Sequence, residues 1–120
     1  RCENENAEFG NNVSVVYIKP NMNLIIEPEH LLSMLGDSGI QEVMIEGGPE
    51  TIAHFGKSKR IDRAIIVHSS IEFDDPIPSK ITENVLQELN LTKVGERVLG
   101  GDQVEYWSKV GMEWPHMEWP

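Results

Sequence analysis

The stretch Ile40 to Phe55, IQEVMIEGGPETIAHF, reads as a buried strand, a paired-glycine turn and a helix start. Val43, Met44 and Ile45 form a short apolar run with a polar residue on each side, the pattern of a strand covered on both faces. Gly47 and Gly48 follow at once. Lacking Cβ atoms, they let the main chain turn sharply and a ligand approach the backbone, and Pro49 presets φ for a first helical turn. The first amides of such a helix have no acceptor within it, so they and the aligned peptide dipoles suit a phosphate or pyrophosphate. Glu46 and Glu50 flank the turn and repel a phosphate unless they point away from it. A carboxylate at the carboxyl end of a parallel strand is better suited to accept hydrogen bonds from ligand hydroxyls or ring nitrogens. A plain strand-to-helix junction uses the same residue types, and the turn alone does not separate the two readings.

Outward from this stretch the pattern is that of an α/β protein. Val13 to Ile18, VSVVYI, reads as a first strand closed by Lys19-Pro20 and an Asn-rich turn. Pro28 suits a helix start, Leu31, Leu32 and Leu35 place an apolar stripe on a helix running to about Gly36, and Gly36 and Gly39 stop it. With the run at Val43 this makes a β-α-β unit whose right-handed crossover sets its strands parallel. A helix after the glycine turn and a strand from Ala64 to Ser69 extend the order to βαβαβ. Residues 73–79, FDDPIPS, read as a solvated proline-rich loop rather than a metal site, and Ile81 to Leu89 as a short helix with Val85, Leu86 and Leu89 inward, ended by Asn90. Leu91 to Leu99, the Gly100-Gly101-Asp102 turn and Val104 to Trp107 read as an antiparallel hairpin, with Trp107 in the core or at a dimer interface. Residues 111–120 repeat Met-Glu-Trp-Pro and read as an exposed tail in which Trp114 and Trp119 are free to dock.

VMIEGGPETIAHF, followed by RIDRAIIVHSSIEF, resembles the carboxyl-terminal reductase domain of the riboflavin-pathway deaminase-reductases and the stand-alone diaminohydroxyphosphoribosylaminopyrimidine reductases. The order of elements matches: an apolar strand ending in Glu46-Gly47-Gly48, a helix bearing Phe55, a link with Asp62, then the strand Ala64 to Val67. The resemblance implies an incomplete dihydrofolate reductase-like mixed sheet, a parallel βαβαβ core plus a carboxyl-terminal antiparallel hairpin. It covers residues 13–110, read as the carboxyl-terminal half of a reductase domain, with residues 1–12 a polar segment lacking a clear element. It further implies NADPH-dependent reduction of the ribosylamino side chain of a diaminopyrimidinone 5′-phosphate to the ribitylamino form. Gly47, Gly48, Pro49, Glu50 and Thr51 then fall where the family's main chain lies against the NADPH pyrophosphate, and Glu46 where it contacts the substrate ribose. No catalytic residue is assigned, because hydride transfer from a nicotinamide needs little acid-base machinery and depends mainly on positioning. A cytoplasmic homodimer is implied as well.

Composition agrees with one modest domain. A chain of 120 residues, 39% of them hydrophobic, buries enough for one core and is not a disordered polypeptide. A net charge of −10 argues against binding nucleic acid or an anionic membrane, and makes any positive charge at a phosphate site a local matter. The densest basic group, Lys57, Lys59 and Arg60 with Arg63 behind, reads as a favourable helix C-terminus. Cys2 is the single cysteine, which excludes an intrachain disulfide and fits a reducing compartment. His30, His54, His68 and His116 lack zinc-site spacing, so no metal is expected; His68, near a strand end, carries slightly more weight as a cleft residue. Two other readings stand beside the reductase: a noncatalytic α/β interaction module, including an inactive truncated reductase, and a dihydrofolate reductase-type oxidoreductase. Glu46 before the glycine pair favours the riboflavin branch, since a scaffold alone has no need of that acid.

Overall fold

The computed structural model describes residues 16–72 and 74–114. The chain divides into two units, Arg1–Met44 and Ile45–Pro120. In the first, the Asn21 side chain organises the Asn-rich turn, its Oδ1 accepting from the amides of Asn23 at 2.9 Å and Ile25 at 3.0 Å. Helix α1 (Pro28–Asp37) follows with proline in its first turn, where a missing N–H costs nothing. Leu31, Leu32, Met34 and Leu35 are half-buried along one stripe. Gly39, not Gly36, ends the helix. At φ +85° its N–H donates to Gly36 O at 2.9 Å, and the Ile40 N–H donates to Leu35 O at 3.0 Å, the paired bonds of a Schellman motif.

The second unit holds α2 (Pro49–Lys57), β1 (Arg63–His68), α3 (Glu83–Glu88), β2 (Leu91–Leu99) and β3 (Asp102–Lys109). Its sheet has three strands in the order β1-β3-β2, antiparallel throughout. The hairpin between β2 and β3 turns on Gly100 and Gly101, at φ +60° and +103°, the positive φ pair that a tight two-residue hairpin demands. Ile65 lies opposite Tyr106 and Ala64 opposite Trp107, so β3 is paired on both sides. A bulge between Lys93 and Gly95 leaves Val94 without a cross-strand partner on the β2 edge, where such irregularities discourage further pairing.

The core lies on the sheet face covered by α3. Trp107, Leu91 and Leu86 are 4%, 0% and 5% exposed, with Ile61, Ala64, Ile66, Ile81 and Leu89 packed around them. Thr82 caps α3 by accepting from the Val85 N–H at 3.4 Å. Asn90 closes it at φ +61°, its N–H donating to Gln87 O at 2.9 Å. The opposite face buries Val104, Tyr106 and Ser108. Residues after β3 fold back onto it: Ser108 Oγ donates to Met112 O at 2.8 Å, Arg63 Nη2 donates to Glu113 O at 3.0 Å, and Trp114 sits edge-on to Tyr106 with centroids 5.0 Å apart. Trp114 is therefore half-buried against the sheet rather than free in an exposed tail, while the second Met-Glu-Trp-Pro copy lies outside the described residues.

The parallel core does not appear among the described residues. Val16–Ile18 and Val43–Ile45 pair with no strand, Val43 and Met44 are 44% and 70% exposed, and positions 13–15 lie outside the described residues. A three-residue run offers a ladder only a few bonds, and parallel pairing is slightly weaker per residue than antiparallel. The long β3, which pairs antiparallel with β1 at six positions from Arg63 to His68, is the better partner for it.

Candidate functional site

Gly48 is the N-cap of α2, at φ −65° and ψ 173°, and Pro49 occupies the first helical turn. No side chain caps the helix, so the amides of Glu50 and Thr51 have no acceptor from a cap or from the helix itself. Phe55 is buried, 8% exposed, and the Ile52 N–H donates back to Gly48 O at 3.2 Å. The two glycines differ in kind. A Cβ on Gly47 would lie 2.6 Å from Thr51 Cβ, whereas one on Gly48 would meet nothing within 4 Å. Gly47 is thus needed by the turn itself, and Gly48 leaves open space over the backbone where an incoming group can sit.

Beside this turn lies a half-open surface recess of about 210 Å³ lined by Gly47, Pro49, Ile52, Ile77 and Ser79. Ligand pockets typically run from ~300 to 1,000 Å³, so it fits one part of a ligand rather than a whole dinucleotide. Ile77 and Ser79 come from the proline-rich loop, whose only sequence signal was that of a solvated turn. Glu46, Gly48, Glu50 and Thr51 are exposed, and Gly47 and Pro49 half-buried. Open amides, a bare glycine and an adjoining apolar recess fit a pyrophosphate with a neighbouring ring or sugar; the two carboxylates oppose it. Among the described residues no His, Cys, Asp and Glu cluster suits a metal ion, and no helix is long and apolar enough to cross a membrane.

The basic residues read as the end of α2 do lie there. Lys59 takes up φ +56° just beyond the helix, its N–H donating to Gly56 O at 2.9 Å, and its own carbonyl accepts from Lys109 Nζ at 3.1 Å. Asp62, the acid of the link before β1, holds Lys109 at 2.8 Å, so it ties β3 to the start of β1. His68 stands at the end of β1, 55% exposed, with Nε2 3.7 Å from Glu105.

Glu105 is the hub of a network that sequence patterning did not reveal. It accepts from Lys93 Nζ at 2.9 Å and from the Trp107 Nε1–H at 3.0 Å. The Lys93 hydrogen bond, then that of Trp107, holds the Glu105 carboxyl below its usual range, and Lys93 does the same to Glu96. Lys93 in turn is pushed up, chiefly by the hydrogen bonds to Glu96 and Glu105. These residues come from two adjacent strands, β2 and β3, and only the cross-strand register reveals them as neighbours.

Residues 1–104 match the family model described as the RibD C-terminal domain. No curated protein and no solved structure matches the chain.

Proposed function

The chain belongs to the RibD C-terminal domain family, the reductase domain of riboflavin biosynthesis, and from this we propose that it takes part in NADPH-dependent reduction of a ribosylaminopyrimidine phosphate to its ribitylamino form. The observation that carries the reading is the family match running through the Glu46-Gly47-Gly48 turn, where the helix start is uncapped and Gly48 is open to solvent. In this proposal Gly47, Gly48, Pro49, Glu50 and Thr51 hold the cofactor pyrophosphate, and Glu46 accepts hydrogen bonds from the ribose hydroxyls of the substrate. When bound, the nicotinamide supplies the hydride. The protein's task is to hold the acceptor carbon against it, and that positioning accounts for most of the rate. Glu50 must turn outward for an anion to approach, which its exposure permits.

A dihydrofolate reductase-like sheet with parallel strands, a cytoplasmic setting and pairing into a homodimer belong to the same proposal. The run at 43–45 would join that sheet once a parallel partner is beside it.

The test is a fluorescence titration of the 120-residue chain with NADPH and NADH, with circular dichroism to establish folding. Saturable binding supports the reductase reading and justifies assay with the pyrimidine substrate. A folded chain that binds neither nucleotide leaves the noncatalytic reading, an interaction module or an inactive truncated reductase, as the better account.

A further inference from the structure

The segment after β3 returns to the sheet through three contacts, all with one face of it. Tyr106 and Ser108 share that face by strand alternation, and Arg63, opposite Ser108 in the register, lies on it as well. Ser108 Oγ donates to Met112 O at 2.8 Å, Arg63 Nη2 donates to Glu113 O at 3.0 Å, and the Trp114 indole meets the Tyr106 ring edge-on with centroids 5.0 Å apart. The segment thus offers two main-chain carbonyls and one indole. Met112 and Glu113 are exposed, whereas Trp114 is half-buried. What the face recognises is an indole directly after two residues that turn their carbonyls inward.

The chain carries that pattern twice. Met112-Glu113-Trp114-Pro115 is followed, after His116 alone, by Met117-Glu118-Trp119-Pro120. A face that reads two carbonyls and an indole has no contact by which to tell the copies apart, so the connection to β3 decides between them. The first copy is joined by a tight turn, in which Gly111 at φ +83° lets the Met112 N–H donate to Lys109 O at 3.0 Å. Met117 lies five residues beyond Met112, and closing the longer loop disfavours the second copy roughly fivefold. A copy from another chain is disfavoured further, because a short tether holds its own segment at an effective concentration on the order of millimolar.

We infer that the sheet face around Tyr106 is a docking site for a Met-Glu-Trp segment, and that the chain's own Met117-Glu118-Trp119 is its second occupant, seated when the first copy lifts. The strap over this face then has two registers, and the copy not seated is available for contact elsewhere. The inference is independent of what binds at the Gly47–Gly48 turn.

The experiment compares the full chain with Trp114→Ala, Trp119→Ala and the double variant, reading the NMR shifts of the Tyr106 ring protons and the melting temperature, with circular dichroism to establish folding. An indole packed against the Tyr106 ring displaces those shifts by its ring current. The expected result is that Trp119→Ala matches the parent, Trp114→Ala keeps most of the displacement and melts slightly lower, and the double variant loses the displacement and melts lower still. The effect of Trp119 then shows when Trp114 is gone, the non-additivity of two groups sharing one site. A Trp114→Ala chain indistinguishable from the double variant overturns the second register. A displacement that survives in Trp114→Ala solely at high protein concentration, with a rise in mass by sedimentation, overturns the occupant named here and gives the face to a second copy of the chain. Should Trp114→Ala not fold, nuclear Overhauser contacts in the parent chain decide: contacts from Tyr106 to both indoles support two registers, and contacts to Trp114 alone overturn them.

Discussion

The paired glycines of the turn differ at the scale of single atoms. An alanine at Gly47 puts its methyl 2.6 Å from Thr51 Cβ, an atom that no side-chain rotation can move. Gly47→Ala is therefore expected to destabilise the chain by about 1–3 kcal/mol, as overpacking does, and to lower its melting temperature. Thr51→Ala keeps the offending Cβ and does not rescue it, whereas Thr51→Gly does. Gly48→Ala meets nothing in the protein, so its melting temperature stays close to that of the parent. If the backbone there receives a pyrophosphate, Gly48→Val weakens NADPH binding at least tenfold in a folded protein; parent-like affinity in a titration removes the turn from the site. Glu46→Gln is expected to spare the cofactor and raise the KM for the pyrimidine substrate, and an unchanged KM reduces Glu46 to a polar residue of the turn.

At the scale of elements, β3 carries the second unit. It is paired on both sides and contributes Trp107 to one face and Tyr106 to the other, each at most 9% exposed. Leu91 is fully buried beneath α3, and Leu91→Ala is expected to cost about 2–5 kcal/mol in urea unfolding, since its backbone, paired opposite Lys109, cannot collapse into the space left behind. Most of these elements were legible in the sequence because their signals are local: proline at helix starts, Asn90 ending α3, and Gly100-Gly101 between two strands. The run at Val43 misled for the converse reason. Apolar alternation announces that a segment wants burial, yet a strand exists only where a partner strand accepts its hydrogen bonds. Trp114 was misjudged similarly. Nothing near it in sequence indicates that Tyr106 and Arg63 lie across the fold to receive the segment.

For the molecule as a whole, the Lys93–Glu96–Glu105 network sets a pH dependence. The two carboxyls are held below their ordinary value, so their contribution is complete above that value and is lost as pH falls through the lowered one. Lys93 is raised, so its contribution is complete below 10.5 and is lost as pH rises through the raised value. Stability from this network is flat between about 4.5 and 10.5 and declines on both sides. The effect is modest, because the groups are solvent-accessible and salt screens them. Lys93→Met is expected to flatten the acid decline in a melting-temperature profile from pH 2 to 7; an acid limb identical to the parent's shows that the network contributes nothing.

The sequence by itself determined the helix starts at Pro28 and Pro49, the hairpin and the glycine turn, and its residues were enough to place the chain in its family. Each of these depends on dihedral preferences and hydrogen bonds within a few positions, or on a recognisable order of residues. Tertiary structure alone decided which strands pair, that Glu105 gathers Lys93, Trp107 and His68, and that Ile77 and Ser79 reach the turn. These are contacts between residues distant along the chain. They are fixed by competition among possible partners for burial and hydrogen bonds, and no local pattern records the outcome of that competition.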